Sequence, residues 1–424
     1  MSAPAGKPAH RRSRAAPSQH GAPAQHGAPA QHGAPAQHGA PAQRDASWRR
    51  QLSRGAQLFE QPLLRHLILA IAGGLILYLL TVQLNSYDNL ELAEVGIYAM
   101  AIAGLSVLTG TNGQISLGHG SFMLVGAYTV AILGEHFDLP LALPLLAAVG
   151  VSAALGALVG LPATRLRGPY LAGVTLALAL ALPDLTVKYG SIFGGDQGIV
   201  VNPPTPPTGV DPERWLARIT LLGTLIVLVV LGNLLRSRFG RSMRAVRDDE
   251  IAASLCGIRP GRTRVLAFTV SAACAGLAGA YLALATGVVN PGGYPLFLSI
   301  SLLAGMVLGG AGTLAAAWWG GVLLVYLPQW STSLSGHLNL SSAVSANLAN
   351  ALFGVVLIAV MMLAPSGLQG WLRGLYRLTI GAVLRRLRPP GTGAPPAAQS
   401  DAGPGPDVAP ADLTPALGTE RSTQ

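Results

Sequence analysis

Arg241, Arg244 and Arg247 recur at every third position, near helical period, and Asp248, Asp249 and Glu250 follow directly. Side chains of both signs on one short helix suit the gripping of a partner better than bond-making chemistry. Gly257 and Pro260-Gly261 read as the stop signals of that helix, so the stretch is expected to be structured where a mere tether would not be. The small residues Ala252, Ala253 and Gly257 beside Glu250 suit a helix seated in a groove. A second polar group lies in TGTNGQISLGHGSFMLVGAY, residues 109–128. There Asn112, Gln114, Ser116 and His119 stand between two apolar runs, with glycines on every side. The segment is either a plain turn or a re-entrant or broken helix facing a pathway, which membranes tolerate only where protein or water covers the backbone.

The remaining ionisable residues offer less. Asp184 follows Pro183 near the end of an apolar run. An acid there is costly unless it meets water or a partner, so it is either a pathway residue or one at the outer interface. Glu91 and Glu94 lie one turn apart and read as interfacial rather than catalytic. The chain holds no G-x-x-x-x-G-K-[ST] phosphate loop, no nucleophile elbow and no H-E-x-x-H helix. Cys256 and Cys274 are too few and too separated for a disulfide framework and read as packing residues. No metal site and no catalytic residue are expected. His20, His26, His32 and His38 belong to a repeat instead of a ligand cluster.

These residues must be positioned by elements inside a membrane. Half of the 424 residues are apolar and only 11% are charged; a soluble domain would carry about 25% charge. Mean hydropathy is +0.46. Apolar segments fall at 67–84, 92–109, 115–133, 140–161, 169–187, 216–235, 265–287, 296–327 and 345–364. A span needs about 20 residues, so 296–327 is too long for one and is expected to break at Gly309-Gly310-Ala311-Gly312. The expectation is an all-α polytopic membrane helix bundle of about 8–10 membrane segments, with Gly-broken or re-entrant helices.

The net charge of +10 is no sign of nucleic-acid binding, because the excess flanks apolar runs. Residues 1–66 carry nine basic and two acidic groups, and the 236–264 loop carries eight Arg and three acids. Basic loops stay inside. Both termini and 236–264 are therefore expected in the cytoplasm, with 188–215 outside. The C-terminal arginines fall inside only if 296–327 crosses twice. Residues 1–66 form a basic arm with four tandem QHGAPA units, and 389–424 a Pro/Ala-rich tail; both compositions predict disorder. No secretory signal precedes the first run, which should remain as a span.

Three stretches together resemble one family: GQISLGHGSFMLVGAY (113–128), GRSMRAVRDDEIAASLCGI (240–258) with LAFTVSAACAGLAGAYLA (266–283), and LLAGMVLGGAGTLAAAWWGGVLLVYLP (302–328). They are similar to the membrane permease subunits of ABC importers for branched-chain amino acids, and to the M-type rather than the H-type partner. RLRGPYLAGVTLALA (165–179) and GGDQGI (194–199) fit the same pattern. The resemblance covers about 67–380, the permease domain. It implies a heterodimer with a second permease subunit, two cytoplasmic ATPase subunits that bind ATP and Mg²⁺, and an extracytoplasmic solute-binding protein. This chain itself would carry no cofactor; its other contact is membrane lipid, in the plasma membrane. The resemblance also implies an ATPase-coupling role for 236–264, with Arg244, Arg247, Asp248, Glu250, Ala252, Ala253 and Gly257 as its residues. Gln114, Ser116, His119 and Asp184 are the candidates for the transport pathway. Related permeases move urea, amides and other amino acids. The rival reading is a secondary transporter for a small polar solute, which would need no motor-docking helix; ATPase co-purification separates the two.

Overall fold

The computed structural model describes residues 62–137, 139–165, 169–310 and 312–337, and then 351, 354–356, 358–359, 362, 367–372, 374 and 376. The repeat arm, most of the 345–364 run and the C-terminal tail lie outside the described residues. The helices are α1 (Pro62–Gln83), α2 (Ser86–Leu105), α3 (His119–His136), α4 (Ala142–Gly160), α5 (Pro169–Lys188) and α6 (Gly190–Phe193), followed by α7 (Pro212–Arg236), α8 (Arg238–Asp248), α9 (Glu250–Leu255), α10 (Pro260–Thr286), α11 (Leu296–Gly309) and α12 (Leu314–His337). Among the described residues, six helical segments are long and apolar enough to cross a membrane. The all-α polytopic bundle expected from the sequence is what the chain forms.

Helix α2 with its extension is the most enclosed of these segments, 83% buried, and α10 follows at 67%. Segments α4 and α5 are only 28% and 22% buried. So α2 and α10 form the centre, while Leu143, Leu146, Val151 and Leu158 of α4 turn outward, where a bilayer would receive them. Glycines let the central helices touch. A Cβ on Gly126 of α3 would collide with the backbone of Gly276 in α10, and one on Gly279 with the backbone of Met123. Without a hydrophobic force to drive helices together in lipid, such close packing is what holds them.

Both expected breaks are present. α11 stops at Gly309 and α12 starts at Leu314, with Gly310 at φ 115° between them. The hairpin is tight: a Cβ on Gly309 would strike the carbonyl of Ala316. After Leu105 the chain runs through a π-helical turn, Ser106–Thr111, and then loses helical form until His119.

Two local expectations need correction. The 240–257 stretch forms two helices where one was expected. Asp249 separates them in extended conformation, and its carboxylate takes the Ile251 and Ala252 N–H groups at 2.9 and 3.0 Å, capping α9. Pro260 does not stop a helix; it opens α10, where a missing N–H costs nothing. The bundle also contains a short antiparallel pair, β1 (Ile199–Val200) with β2 (Val288–Val289). It ties the 189–211 loop to the end of α10.

Candidate functional site

The π turn and the charged loop meet at one end of the bundle. In the π turn, backbone bonds reach one residue further than in an α-helix, as in Asn112 N–H to Val107 O at 3.2 Å. Gly113 then turns the chain away at φ 75°, a region that suits glycine. A carbonyl this close to a helix end has no donor further along the helix. That of Gly110 receives Arg247 Nη1 at 2.8 Å, from the last turn of α8. Arg247 also donates to Asp248 Oδ1 through Nε at 3.0 Å and Nη2 at 2.9 Å.

Other ties hold the loop to its neighbours in sequence. Arg244 Nη1 donates to Leu235 O at 3.1 Å and so helps close the C-terminus of α7. Arg264 Nη2 meets Glu250 Oε2 at 2.8 Å, joining α9 to α10. Met243, Val246 and Ala253 face inward. Ile251 and Leu255 do the opposite: they are 74% and 84% exposed, one turn apart on α9.

The polar side chains of the broken segment are buried and partly bonded within it. Gln114 Oε1 accepts from Asn112 Nδ2 at 2.9 Å, and Ser116 Oγ accepts from Gly118 N–H at 3.3 Å. Distant helices supply the rest. Thr175 of α5 takes the Leu117 N–H at 3.0 Å, and Ser299 of α11 takes the Gly120 N–H at 2.8 Å. His119 is fully buried, with Nε2 2.9 Å from Ser271 Oγ on α10. The Ser271 hydroxyl in turn donates to Gly104 O at 2.7 Å. With that proton committed, His119 Nε2 must be the donor and Nδ1 an acceptor. His119 Nδ1, Asn112 Oδ1 and Ser106 Oγ are buried with no hydrogen-bond partner among the described residues.

A cavity of about 290 Å³ joins the two groups; Asn112, Gln114, Arg247, Asp248, Glu250 and Arg264 all line it. Gln114 of the pathway candidates therefore shares one space with Arg247, Asp248 and Glu250 of the coupling loop, while Ser116 and His119 do not line it. Among the described residues, no group of three or more His, Cys, Asp or Glu side chains comes together to hold a metal ion.

The sequence model of the family described as branched-chain amino acid transport system permease component matches residues 89–364. The chain belongs to this permease family. The permease is 34% identical over 310 residues to the high-affinity branched-chain amino acid transport system permease protein LivM of Salmonella typhimurium, covering 67% of this chain and 70% of that one. It is 27% identical over 298 residues to LivH of Escherichia coli, covering 64% and 91%. A shorter match, 36% over 138 residues, is to the autoinducer 2 import system permease LsrC of Klebsiella pneumoniae, at 29% and 38% coverage. No solved structure matches the chain.

Asp184 lies apart from the other pathway candidates, Gln114, Ser116 and His119. It is exposed on α5, nine residues beyond Thr175, which by helical rise is about 14 Å toward the other end. That end of the permease holds a larger cavity of about 1020 Å³ between α3, α6 and β1, lined by Glu135, Phe137, Ser191, Val200 and Asn202 among others. Glu91 is there too, 7% exposed and accepting from Gln329 Nε2 of α12 at 2.8 Å. Glu94 is half-buried one turn on. Gly110, Thr175, Ser271 and Ser299 were not singled out from sequence. A serine or threonine in an apolar run carries no spacing signal that points to its partner.

Proposed function

We propose that this chain is one permease subunit of an ATP-driven importer in the plasma (inner) membrane, moving a branched-chain amino acid or a related small solute such as urea or an amide. It would pair with a second permease subunit. Two cytoplasmic ATPase subunits would bind and hydrolyse ATP with Mg²⁺, and an extracytoplasmic protein would deliver the solute. Two of the relatives named above are branched-chain amino acid permeases, which supports the solute class.

The observation that carries the reading is the pair α8–α9. It is capped, held to its own bundle at three points, and still presents Ile251 and Leu255 outward. An exposed apolar pair on a rigid support is a docking face. Burying each side chain in a groove would contribute about 1.5–3 kcal/mol. A hydrophobic zwitterion must cross without its charges meeting hydrocarbon. The outer cavity gives it entry. The buried acceptors near the π turn, Asn112 Oδ1 and His119 Nδ1, offer partners to an ammonium group or to water that travels with it. Opening of that region would follow from motor movement felt at α9.

The test is the double variant Ile251→Asp with Leu255→Asp. Both side chains are largely exposed, so membrane abundance should hold. ATPase subunits should no longer co-purify, and uptake of labelled leucine into vesicles should drop to background. A double variant that keeps its ATPase and transports leucine would reject the docking face. Competition by isoleucine, valine, urea and acetamide in the same assay decides the solute.

A further inference from the structure

We propose that Arg247 is not a docking contact but a latch, the positioning residue through which movement of α8 and α9 reaches the broken segment. This rests on the reading that a motor docks on α9. The Arg247 side chain is 41% exposed, yet it reaches back across the bundle to the π turn. Its guanidinium is used on two sides, by Asp248 and by the Gly110 carbonyl. The ties from Arg244 to Leu235 and from Glu250 to Arg264 reach helices continuous with the loop. The tie to Gly110 instead spans 137 positions of sequence.

Its aliphatic stem is accommodated as well. A Cβ on Gly113 would lie 2.8 Å from Arg247 Cγ, so glycine there serves both the backbone turn and the passage of the arginine. Asp248 holds the guanidinium in the orientation that meets Gly110. The carbonyl it grips belongs to a π turn, which carries one residue more than the α-helix on either side of the same register. Passing between the two forms turns everything beyond by about 100°, the angle of one residue. The residues beyond are Asn112 and Gln114, at the shared cavity. That cavity leaves room for the movement. A pull on Arg247 therefore acts on an element with two discrete forms, as a switch requires.

The experiment uses the full complex with its ATPases, reconstituted in proteoliposomes. Three quantities are read: ATPase retained, leucine taken up per ATP hydrolysed, and the ATP-dependent change in reactivity of a thiol at position 115. Ile115 is 47% exposed and lines the cavity, so Ile115→Cys in a Cys256→Ser background reports on the broken segment. Arg247→Met keeps the stem and removes the donors. Arg238→Met, on the exposed side of the same helix, removes an equal charge. With Arg247→Met the ATPase should stay bound and hydrolyse ATP. Uptake per ATP should fall about tenfold, within the range by which coupling residues act, and the ATP-dependent thiol signal should vanish. Arg247→Lys should recover part of both, and Arg238→Met should match the parent. An Arg247→Met complex with uptake per ATP within about twofold of the parent, or with the thiol signal intact, overturns the latch. So does loss of the ATPase from that variant, which would make Arg247 a docking contact. Should Arg247→Met not accumulate, Gly113→Ala, which displaces the stem without changing charge, is read in the same way. If the parent complex itself retains no ATPase, the docking reading fails rather than the latch.

Discussion

Ser271 Oγ holds two partners at once, His119 Nε2 at 2.9 Å and Gly104 O at 2.7 Å, and so joins α3, α10 and α2 at a buried point. A Cβ on Gly104 would press on Cys274 and Ser271, so the glycine lets the two helices close around that point. Ser271→Ala leaves the buried ring N–H without its partner. Hydrogen bonds between helices in membranes contribute about 1 kcal/mol, and an abandoned buried donor costs about 1–3 kcal/mol. Ser271→Ala should therefore lose about 1–2 kcal/mol against unfolding in detergent, measured by denaturant titration. His119→Ala should cost less in the Ser271→Ala background than alone, because the shared bond is already gone. Strict additivity of the two losses would show that the bond contributes nothing. At this scale the sequence was half legible. Gln114, Ser116 and His119 stood out because polar groups in an apolar run are costly, but their partners did not. Ser271, Thr175 and Ser299 look like any small hydroxyl in a membrane helix. Arg247 was readable as a charge and not as the residue that would reach Gly110.

Helix ends were the most legible feature of the elements. Gly309-Gly310 and the glycines around Asn112 marked both breaks, because glycine adopts the positive φ found at Gly113 and Gly310 without steric cost. Asp249 was misread: lying within a run of acids, it was placed with the arginines on one short helix, yet it caps a helix of its own. The β1–β2 pair was invisible, since two residues a side carry no alternation. Nor did the sequence say which helices are central. Lipid and core are both apolar, and both helices are rich in Gly and Ala, so α4 and α10 read alike although α10 is the crowded one. That crowding yields a prediction for the α3–α10 crossing. Gly276 faces Ser152 of α4 as well as Gly126, and a Cβ there would overlap the Ser152 side chain. Gly276→Leu should force three helices apart and cost about 3 kcal/mol or more. The expected result is loss of monodisperse protein on size-exclusion chromatography after detergent extraction. Gly134→Leu is the comparison, because a Cβ there meets nothing within 4 Å, and it should behave as the parent. Equal behaviour of the two variants would mean that the glycine contact does not hold α3 and α10 together.

At the scale of the whole molecule the question is which end faces the cytoplasm. The contacts sort the described segments into two ends. Arg247 with Gly110, and Gly261 beside Thr164, gather the π turn, the α4–α5 connection and the α8–α9 loop at one end. The β1–β2 pair, the large cavity and Glu91 with Gln329 gather at the other. Arginines crowd the first: Arg236, Arg238, Arg241, Arg244, Arg247, Arg259, Arg262 and Arg264 all lie there, and Arg165 with them. Basic loops of this length resist translocation, so that end should be cytoplasmic. The chain carries its own probe. Cys256 is exposed at the end of α9, whereas Cys274 is buried in α10. In intact cells an impermeant maleimide should leave the native protein unlabelled and should label a Thr208→Cys variant, whose new thiol lies in the exposed loop at the opposite end. In inside-out vesicles the native protein should be labelled at Cys256. Adding back the ATPase subunits should then slow that labelling, since Cys256 adjoins Leu255 on the proposed docking face. Labelling of Cys256 in intact cells would invert the molecule. The α8–α9 pair would then face away from any cytoplasmic motor, and both the docking face and the route from Arg247 to the π turn would lose their source of motion.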